Sequence, residues 1–268
     1  MAAGSHKPIT TFLFENLSHK KGIVHFISTR NGGTSNSPFD TLNISFNVSD
    51  DPEVVLKNRK LLAEAVGFDA AGIVTAKQVH DNKVALVTKD MRGKGAFDFI
   101  SALDGIDAMV TNVPKICLMV QVADCVPVLL YDPVKKVIGA VHAGYKGTIL
   151  KIAENAVKSM IKQYRSDPND IYVGIGPSIG PCCYEVGKEV VKEVKDSLKN
   201  GKDLINVRKG KSFFDLWKAN RSQVEACGVP RQNIEVAGIC TNDRTDMFFS
   251  FRAGKGTTGR FAAGIMLA

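Results

Sequence analysis

Short apolar runs, each four to seven residues long and separated by turn-forming residues, recur along most of the chain. Runs of this length that are rich in β-branched residues are typical of buried strands. They predict nine strands, over residues 23–28, 73–79, 84–87, 108–111, 116–122, 126–131, 137–141, 171–174 and 234–239.

Longer amphipathic stretches lie between these runs and predict helices. In the first, Asp51 and Pro52 provide a cap and a first turn, and an apolar stripe continues to about Val66. The same grounds predict helices over residues 147–164, 188–198 and 214–227.

The order of these elements indicates the fold class. Strands outnumber helices and some are joined by hairpins, which favours an α+β fold with mixed sheets over a doubly wound parallel sheet. A chain of 268 residues, 44% of them hydrophobic, can bury a substantial core, and we expect one domain over residues 1–268. Residues 1–10 are predicted to form a flexible terminus.

Composition narrows the classes of partner. The net charge of +8 suits an anionic substrate, but the lysines are scattered with no dense basic block, which argues against a nucleic-acid partner. No apolar run reaches the ~18 residues that cross a bilayer, so we expect a soluble, cytoplasmic protein with no membrane partner. Six cysteines in a chain this long indicate reduced thiols. The adjacent Cys182 and Cys183 are expected to pack in the interior.

Two of the five histidines and one cysteine, His80, Cys125 and His142, stand at the ends of predicted strands. They make a candidate set of three metal ligands, which leaves a fourth position for water as in catalytic zinc sites. Their separations, 125 − 80 = 45 and 142 − 125 = 17 residues, are too long for a zinc finger, so spacing alone also fits ordinary buried side chains. The turn at Asp132-Pro133 predicts a hairpin that brings Cys125 beside His142.

Other polar residues near these strand ends are candidates for binding substrate. Gly144 and Lys146 lead into a predicted helix, whose free N–H groups favour an anion. Arg30 follows the first predicted strand and suits a phosphate or carboxylate. Gln78 lies two residues before the first candidate histidine, so an extended strand would turn both to one side. For each, an ordinary turn or surface role is the alternative. Asp124 is expected to point away and to hold a loop.

Five motifs occur in one order along the chain. They are Phe26-Ile27-Ser28-Thr29-Arg30-Asn31-Gly32-Gly33-Thr34-Ser35, Gln78-Val79-His80, Ala123-Asp124-Cys125-Val126-Pro127-Val128, His142-Ala143-Gly144-Tyr145-Lys146-Gly147-Thr148 and Gly176-Pro177-Ser178-Ile179-Gly180-Pro181-Cys182-Cys183-Tyr184-Glu185-Val186. Together they resemble the bacterial laccase-domain family, also called YfiH-type or polyphenol oxidase proteins, from about Phe12 to the Gly259-Arg260-Phe261 segment. One departure is Tyr145-Lys146, where the family usually has Trp-Arg, so the guanidinium fork is lost there.

The resemblance implies a four-layer α/β/β/α sandwich, similar to a group of cysteine hydrolases. It implies Zn²⁺ on His80, Cys125 and His142, with Cu²⁺ as a substitute. The implied reactions are phosphorolysis of adenosine, inosine, guanosine or methylthioadenosine to free base and ribose 1-phosphate, and deamination of adenosine. Arg30, Lys146 and the backbone near Gly144 are then expected to bind phosphate. The sequence identifies no carboxylate proton shuttle for deamination.

Three other functions stay open. Copper-dependent phenol oxidation needs more imidazoles than five histidines supply, and three of these, His6, His19 and His25, lie in the N-terminal region. A cysteine hydrolase or amidase would use Cys125 as nucleophile and His142 as base. A zinc-stabilised binding protein is disfavoured by the open fourth ligand position. The sequence predicts no oligomeric state.

Overall fold

The computed structural model describes residues 8–268. The strands in this part of the chain are β1 (Thr11–Phe12), β2 (Ile23–Ser28), β3 (Ile73–Val74), β4 (Ala76–Lys77), β5 (Val84–Leu86), β6 (Leu103–Asp104), β7 (Ala108–Thr111), β8 (Cys117–Val122), β9 (Val126–Asp132), β10 (Val137–Ala143), β11 (Tyr172–Ile175), β12 (Glu185–Val186), β13 (Ile205–Arg208), β14 (Lys211–Phe214), β15 (Ile234–Val236) and β16 (Phe261–Leu267). The helices are α1 (Glu15–Ser18), α2 (Pro52–Val66), α3 (Tyr145–Ile149), α4 (Ile152–Tyr164), α5 (Lys188–Ser197) and α6 (Leu216–Ala226). Residues 1–7 of the predicted flexible terminus, His6 among them, lie outside the described residues. None of the helices described is long and apolar enough to cross a membrane.

Two large sheets lie at the centre of the protein. The five-stranded sheet has the order β1-β2-β16-β8-β3, and the six-stranded sheet has the order β15-β11-β9-β10-β7-β5. Each combines antiparallel pairs with parallel ones: β3 runs parallel to β8, and β5 runs parallel to β7. The predicted mixed sheets are therefore confirmed.

The two sheets stack face to face, because successive side chains of β9 enter different hydrophobic cores. Leu129 and Tyr131 pack with residues of the five-stranded sheet such as Val120. Val128 and Leu130 pack instead with α4 and α6. Helix α2 covers the outer face of the five-stranded sheet in a third core. The layers are thus helices, sheet, sheet and helix, the α/β/β/α order that the resemblance implies.

The hairpin of β9 and β10 is formed as predicted, and both strands are fully buried. Asp132 closes its turn, since its Oδ1 accepts the backbone N–H groups of residues 134 and 135 at 2.8 and 2.9 Å. The antiparallel register pairs His142 with Pro127. Cys125, one residue before β9, therefore lies beside the end of β10.

Helix α2 also begins and ends as predicted. The Asp51 side chain caps its first turn, and Gly67 ends it with a φ of 85°. Within the helix, the buried Arg59 donates to the carbonyl oxygens of Ile44 and Ala96 at 2.7 and 3.0 Å. Helix α2 thereby fixes two loops on the outer side of the five-stranded sheet.

Two predicted elements are interrupted. The helix expected over residues 147–164 is two helices, α3 and α4, because Lys151 between them has a left-handed φ of 62°. The strand expected over residues 73–79 is β3 and β4, which pair with different partners, β8 and β6. Gln78 and His80 lie beyond β4, and His80 has a φ of 63°, so the expectation that they share one face of a strand is wrong.

The sequence pattern misses β16, which lies at the centre of the five-stranded sheet. Its alanines and Gly264 have low β propensity, so the run does not have the β-branched composition typical of a strand. The structure requires a glycine there, because a Cβ at position 264 would collide with the ring of Phe26 on β2. Close packing thus requires a residue with low β propensity, and the strand cannot be recognised from its composition.

Candidate functional site

A cavity of about 450 Å³ opens where the ends of β4, β8, β9 and β10 meet the C-terminal part of the chain. Its lining combines polar and aromatic side chains: Ser45, Asn47, Ala76, Gln78, His80, Phe99, Gln121, Val122, Ala123, Asp124, Cys125, His142, Tyr145, Ile179, Tyr184, Leu216, Phe251, Arg252 and Arg260. Clefts of this size are typical of sites for small molecules.

The three predicted metal ligands meet at this cavity. One donor atom from each of His80, Cys125 and His142 lies within 4.8 Å of the other two. Cys125 Sγ is 3.7 Å from His80 Nε2, and the two imidazole rings stand edge to face with centroids 4.8 Å apart. His142 is buried whereas His80 is exposed, so the cluster has a protein side and an open side.

A buried carboxylate that the sequence reasoning missed organises the cluster. Asp107 Oδ1 accepts His142 Nδ1–H at 2.7 Å and the His80 N–H at 3.0 Å, and Oδ2 accepts the N–H groups of Val79 and Asp81 at 3.2 and 2.9 Å. The bond to Nδ1 leaves His142 Nε2 as the ring nitrogen available at the cavity. One side chain thus orients an imidazole on β10 and holds the loop that carries His80.

The only sequence signal for Asp107 is its position, since it is an acidic residue directly before the fully buried strand β7. A carboxylate in such a place needs a partner, because an unpaired buried charge is strongly unfavourable. This argument identifies a paired acid but does not name the histidine that pairs with it.

The charged forms of Cys125, His142 and Asp107 stabilise one another. Burial opposes ionisation of the Cys125 thiol, but the nearby imidazoles of His142 and His80 outweigh burial and lower its pKa to about 6. Burial likewise opposes protonation of His142, but the Cys125 thiolate and Asp107 raise the pKa of its imidazole to about 9. Burial also opposes ionisation of Asp107, but hydrogen bonds from His142 and the backbone lower its pKa. The thiol is therefore held as a thiolate, the form that binds metals and attacks electrophiles.

Gly144 lies against this cluster for a steric reason. A Cβ at this position would come within 2.7 Å of His80 Cδ2 and 3.0 Å of Cys125 Sγ. The glycine also precedes the first residue of α3, as the sequence predicts for the turn after β10. A side chain at this position would therefore displace the histidine, the cysteine or both.

Gln78 lines the cavity, and its amide is occupied by β8. Its Nε2 donates to the carbonyl oxygen of Gln121 at 2.8 Å, and its Oε1 accepts the Gln121 N–H at 2.9 Å. This reciprocal pair ties the loop before His80 to the five-stranded sheet. A role in contacting substrate stays a prediction for Gln78.

The two cations predicted to bind substrate do not line the cavity. Arg30 donates to Asp40 Oδ2 and to the Asp40 and Thr245 carbonyl oxygens at 2.9 to 3.0 Å, and its guanidinium packs over Phe249 at 4.8 Å. Lys146 is exposed on α3. Their predicted contacts with phosphate stay predictions that substitution can test.

Two other arginines, Arg252 and Arg260, line the cavity instead. Burial lowers the pKa of Arg260, while the negative charges of Cys125 and Asp124 oppose that effect. The Arg252 guanidinium lies over the Tyr184 ring at 5.4 Å. No sequence pattern identifies either arginine as a cavity residue, beyond the place of Arg260 in the C-terminal segment of the resemblance.

Asp124 holds a loop, as expected, but the expectation that it points away is wrong, because it lines the cavity with a left-handed φ of 83° in place of a regular strand conformation. Its Oδ1 accepts from the Thr241 hydroxyl and its Oδ2 from the Arg252 N–H, both at 2.6 Å. These bonds fix Arg252 at the cavity. They also leave Asp124, the one carboxylate in the lining described above, with both oxygens occupied.

The cluster of His80, Cys125 and His142 can hold a metal ion. Two imidazoles and a thiolate are the donor set expected for zinc or copper, and three protein ligands leave a further position open at the exposed side. The Asp107 contact to His142 supplies the carboxylate that usually supports a metal-binding histidine.

A second group of possible ligands lies outside the cavity, at Cys182, Cys183, Cys240 and Asp243. The expectation that Cys182 and Cys183 pack in the interior is wrong for Cys182, which is exposed. Both thiols instead donate to the Asp243 carboxylate, at 3.1 and 3.0 Å.

Comparison with known proteins agrees with the sequence motifs. A family model described as multi-copper polyphenol oxidoreductase laccase matches residues 24–268. The chain is 39% identical over 247 residues to a protein of Bacillus subtilis named purine nucleoside phosphorylase YlmD, covering 91% of this chain and 88% of that protein. It is 37% identical over 259 residues to a protein of Bacteroides thetaiotaomicron named purine nucleoside phosphorylase, covering 95% of each. The crystal structure of the hypothetical protein YfiH of Bacillus licheniformis superposes with a TM-score of 0.92 at 35% identity, covering 98% of this chain and all of that one. The predicted resemblance and fold are confirmed.

Proposed function

We propose that this chain, which belongs to the family described as multi-copper polyphenol oxidoreductase laccase, is a zinc-dependent purine nucleoside phosphorylase. It would convert adenosine, inosine, guanosine or methylthioadenosine and phosphate to the free base and ribose 1-phosphate. Two relatives that match more than nine-tenths of this chain carry the name purine nucleoside phosphorylase, which supports an enzyme of this class.

The observation that carries the proposal is the pairing of the Cys-His-His cluster with aromatic rings and arginines in one cavity. Phe99, Tyr145, Tyr184 and Phe251 offer flat surfaces on which a purine base can stack. Arg252 and Arg260 carry the positive charge that phosphate requires, although the phosphate-binding arginine expected from the sequence was Arg30.

The three ligands fit the proposed metal. Zinc bound to His80, Cys125 and His142 would supply a Lewis acid with an open coordination position facing the cavity. The protein's own part is to keep Cys125 as a thiolate and to direct His142 Nε2 inward through Asp107. Substituting copper for zinc would use the same three donors.

In phosphorolysis, a phosphate oxygen forms a bond to the sugar C1′ as the bond from C1′ to the base nitrogen breaks, and the base leaves with the electron pair. Negative charge therefore moves from phosphate to the base as the reaction proceeds. The arginines would orient the phosphate, and the aromatic walls would exclude water that competes with it.

Deamination of adenosine is the lesser activity in this proposal. Known zinc deaminases of nucleobases use a carboxylate as proton shuttle. The lining offers Asp124, whose two oxygens already accept from Thr241 and Arg252. A shuttle through this carboxylate would require one of those hydrogen bonds to break.

A cysteine hydrolase is the second candidate, because Cys125, His142 and Asp107 have the chemistry of a nucleophile, a base and the acid that orients it. The Cys125 pKa of about 6 favours it. A multicopper oxidase is not supported, because the described part of the chain contains no group of histidines of the size that a trinuclear copper centre needs.

The test is to purify the protein without added metal, measure bound zinc and copper, and follow each nucleoside with and without phosphate. Ribose 1-phosphate, free base and inosine are quantified for the wild type, for Cys125→Ala and for the control Cys227→Ala. Cys227 is a half-buried cysteine whose thiol donates to the Glu154 carbonyl oxygen at 3.7 Å, outside the cavity.

We expect zinc to copurify, ribose 1-phosphate to depend on phosphate, and only Cys125→Ala to lose activity and the zinc ion of the His80, Cys125 and His142 cluster. Full activity of metal-free protein with a covalent adduct on Cys125 would favour the hydrolase. Stoichiometric copper with rapid turnover of phenols would favour the oxidase.

A further inference from the structure

Four possible ligands lie together outside the cavity, at Cys182, Cys183, Cys240 and Asp243. One donor atom from each lies within 4.8 Å of the other three. Around a tetrahedral zinc ion, two sulfur ligands at about 2.3 Å would be about 3.8 Å apart, and a sulfur and a carboxylate oxygen at about 2.0 Å would be about 3.5 Å apart. Each distance between donors therefore needs to change by about 1 Å or less for the group to bind the ion. Asp243 already faces two of the sulfurs, with Oδ2 3.1 Å from Cys182 Sγ and Oδ1 3.0 Å from Cys183 Sγ.

Two chain segments far apart in sequence build this group. In one segment, Cys183 and Tyr184 donate their N–H groups to the Gly180 carbonyl oxygen at 3.0 and 2.9 Å, which forms a tight turn. In the other, Cys240 forms a parallel bridge with Ser178, so its thiol reaches the first segment. The Cys240 sulfur accepts the Gly180 N–H at 3.3 Å.

The types of ligand atom in this group indicate which metal ion it would bind. Three cysteines, whose thiols would lose their protons on binding the ion, and one carboxylate form a closed set of four, which is typical of structural zinc and leaves no position for a substrate. Calcium and magnesium prefer oxygen ligands, and iron–sulfur clusters are held by four cysteines or by two with two histidines. A disulfide would use two of the sulfurs but would leave the Asp243 carboxylate facing a group that cannot donate a hydrogen bond.

We propose that Cys182, Cys183, Cys240 and Asp243 form a second metal site, a structural zinc centre that fastens the segment around residues 178–184 to the segment around residues 238–243. This site is separate from the cluster of His80, Cys125 and His142 and does not depend on the function proposed for it.

The residues around this group leave a path for a cation and do not place an unpaired positive charge beside it. A cavity of about 350 Å³ borders the group and is lined in part by Cys182, Cys240 and Asp243, so an ion can enter from solvent. Arg244 also borders it, but its guanidinium makes two hydrogen bonds of 2.9 Å to the Asp246 carboxylate. Its charge is thereby paired, which weakens its repulsion of an ion at the neighbouring sulfurs.

The site lies where it can stabilise the active cavity. Ile179 and Tyr184 of the first segment both line that cavity. Thr241 of the second segment donates its hydroxyl to Asp124, the residue before Cys125. A zinc ion joining the two segments would therefore hold one wall of the cavity in place.

Metal content tests the proposal. Zinc per chain is measured by mass spectrometry of metals in the wild type, Cys125→Ala, Cys240→Ser and Asp243→Asn, each purified under reducing conditions, with Cys227→Ser as the matched control. Cobalt is then substituted for zinc, and the thiolate-to-cobalt charge-transfer absorption is recorded. This absorption reports sulfur ligands independently of any enzyme activity.

We expect the wild type and Cys227→Ser to hold two zinc ions per chain, and Cys125→Ala to keep one whose cobalt form shows strong thiolate absorption. Adding Cys240→Ser or Asp243→Asn to Cys125→Ala should remove that remaining ion. Asp243→Asn changes an exposed side chain and keeps the test valid where Cys240→Ser does not fold.

Cys125→Ala without bound zinc would overturn the proposal, as would a remaining ion that survives both second substitutions. A count of four free thiols, 6 − 2 in place of the six cysteines, in wild type purified without reductant and then unfolded would indicate a disulfide instead and would also overturn it. Loss of the first metal site with the second retained would refute the proposed function but leave this inference standing.

Discussion

Asp107→Asn is the substitution that best tests how the cavity is organised. Asp107 accepts four hydrogen bonds, two on each carboxylate oxygen. In asparagine one oxygen becomes an NH₂ group, which cannot accept. Either orientation of the amide therefore leaves two donors without a partner: the N–H groups of Val79 and Asp81, or that of His80 together with His142 Nδ1.

The expected loss in free energy of unfolding follows from these hydrogen bonds. Hydrogen bonds to charged groups contribute ~1.5–3 kcal/mol each, so losing two costs about 3 kcal/mol, the low end of the sum because water reaches the partly buried backbone donors. If His142 turns its Nδ1 into an acceptor for the amide, Nε2 becomes protonated and can no longer bind metal. We expect metal affinity to fall ~10–100-fold, as for other partners of metal-binding histidines.

Asp132→Asn is the matched control, because it makes the same change at a buried aspartate in the turn of the β9–β10 hairpin. Asp132 Oδ1 accepts two backbone N–H groups, while Oδ2 has no hydrogen-bond partner. The amide can therefore place its NH₂ group at the Oδ2 position and keep both bonds. We expect it to lose below about 1.5 kcal/mol of stability and to bind metal as the wild type does.

Urea unfolding of metal-free protein gives the free energies of unfolding, and competition with a coloured chelator gives the metal affinities. The reasoning is refuted if Asp107→Asn binds metal as tightly as Asp132→Asn does. It is also refuted if the two variants lose the same stability, since the argument rests on the different numbers of hydrogen bonds that each can keep.

Three further predictions concern the same cavity. Gly144→Ala should fold but bind little metal, because the added Cβ would collide with His80 and Cys125, and metal analysis of the folded variant checks this. In metal-free protein the Cys125 thiol should react with iodoacetamide at a rate that rises with pH through about 6 and levels off above it, because the pKa of this thiol is lowered. A midpoint near the pKa of a free thiol would contradict the proposed effect of the two imidazoles on Cys125. Arg260→Lys should raise the KM for phosphate ~10-fold, since lysine cannot make two parallel bonds to phosphate, whereas an unchanged KM would place the phosphate elsewhere.

The sequence predicts the meeting of two of the three cluster residues from local rules. Asp132-Pro133 marks a hairpin, and antiparallel pairing then places Cys125 beside His142 without reference to any other part of the fold. His80 is different, because it lies in a loop with a left-handed φ and reaches the cluster only through backbone bonds to Asp107. The hydrophobic periodicity of a sequence does not predict a hydrogen bond of this kind between distant residues.

The arginines at the cavity illustrate a second limit. Arg252 and Arg260 come from the C-terminal part of the chain and line the same cavity as Cys125. Arg260 directly precedes β16, which pairs with β8 in the five-stranded sheet, whereas the Arg252 N–H donates to Asp124. The middle of β16 has low β propensity, because Gly264 is required where the strand packs against Phe26 of β2 and two alanines precede it. When a central strand cannot be recognised, the side chains that it positions cannot be assigned to a site.

The two clusters of possible metal ligands are connected through one carboxylate. Asp124 adjoins Cys125 in sequence and has a φ of 83°, and its Oδ1 accepts from Thr241, the neighbour of Cys240. Its other oxygen fixes the backbone of Arg252 at the cavity. Since Asp124 has no free oxygen, a shift of the segment that carries Cys240 must either break the Thr241 bond or move the loop that carries Cys125. A zinc ion at the second site would therefore act on catalysis by holding Cys125 and Arg252 at fixed positions, so its loss should alter the turnover number while the thiolate and both imidazoles remain able to bind metal.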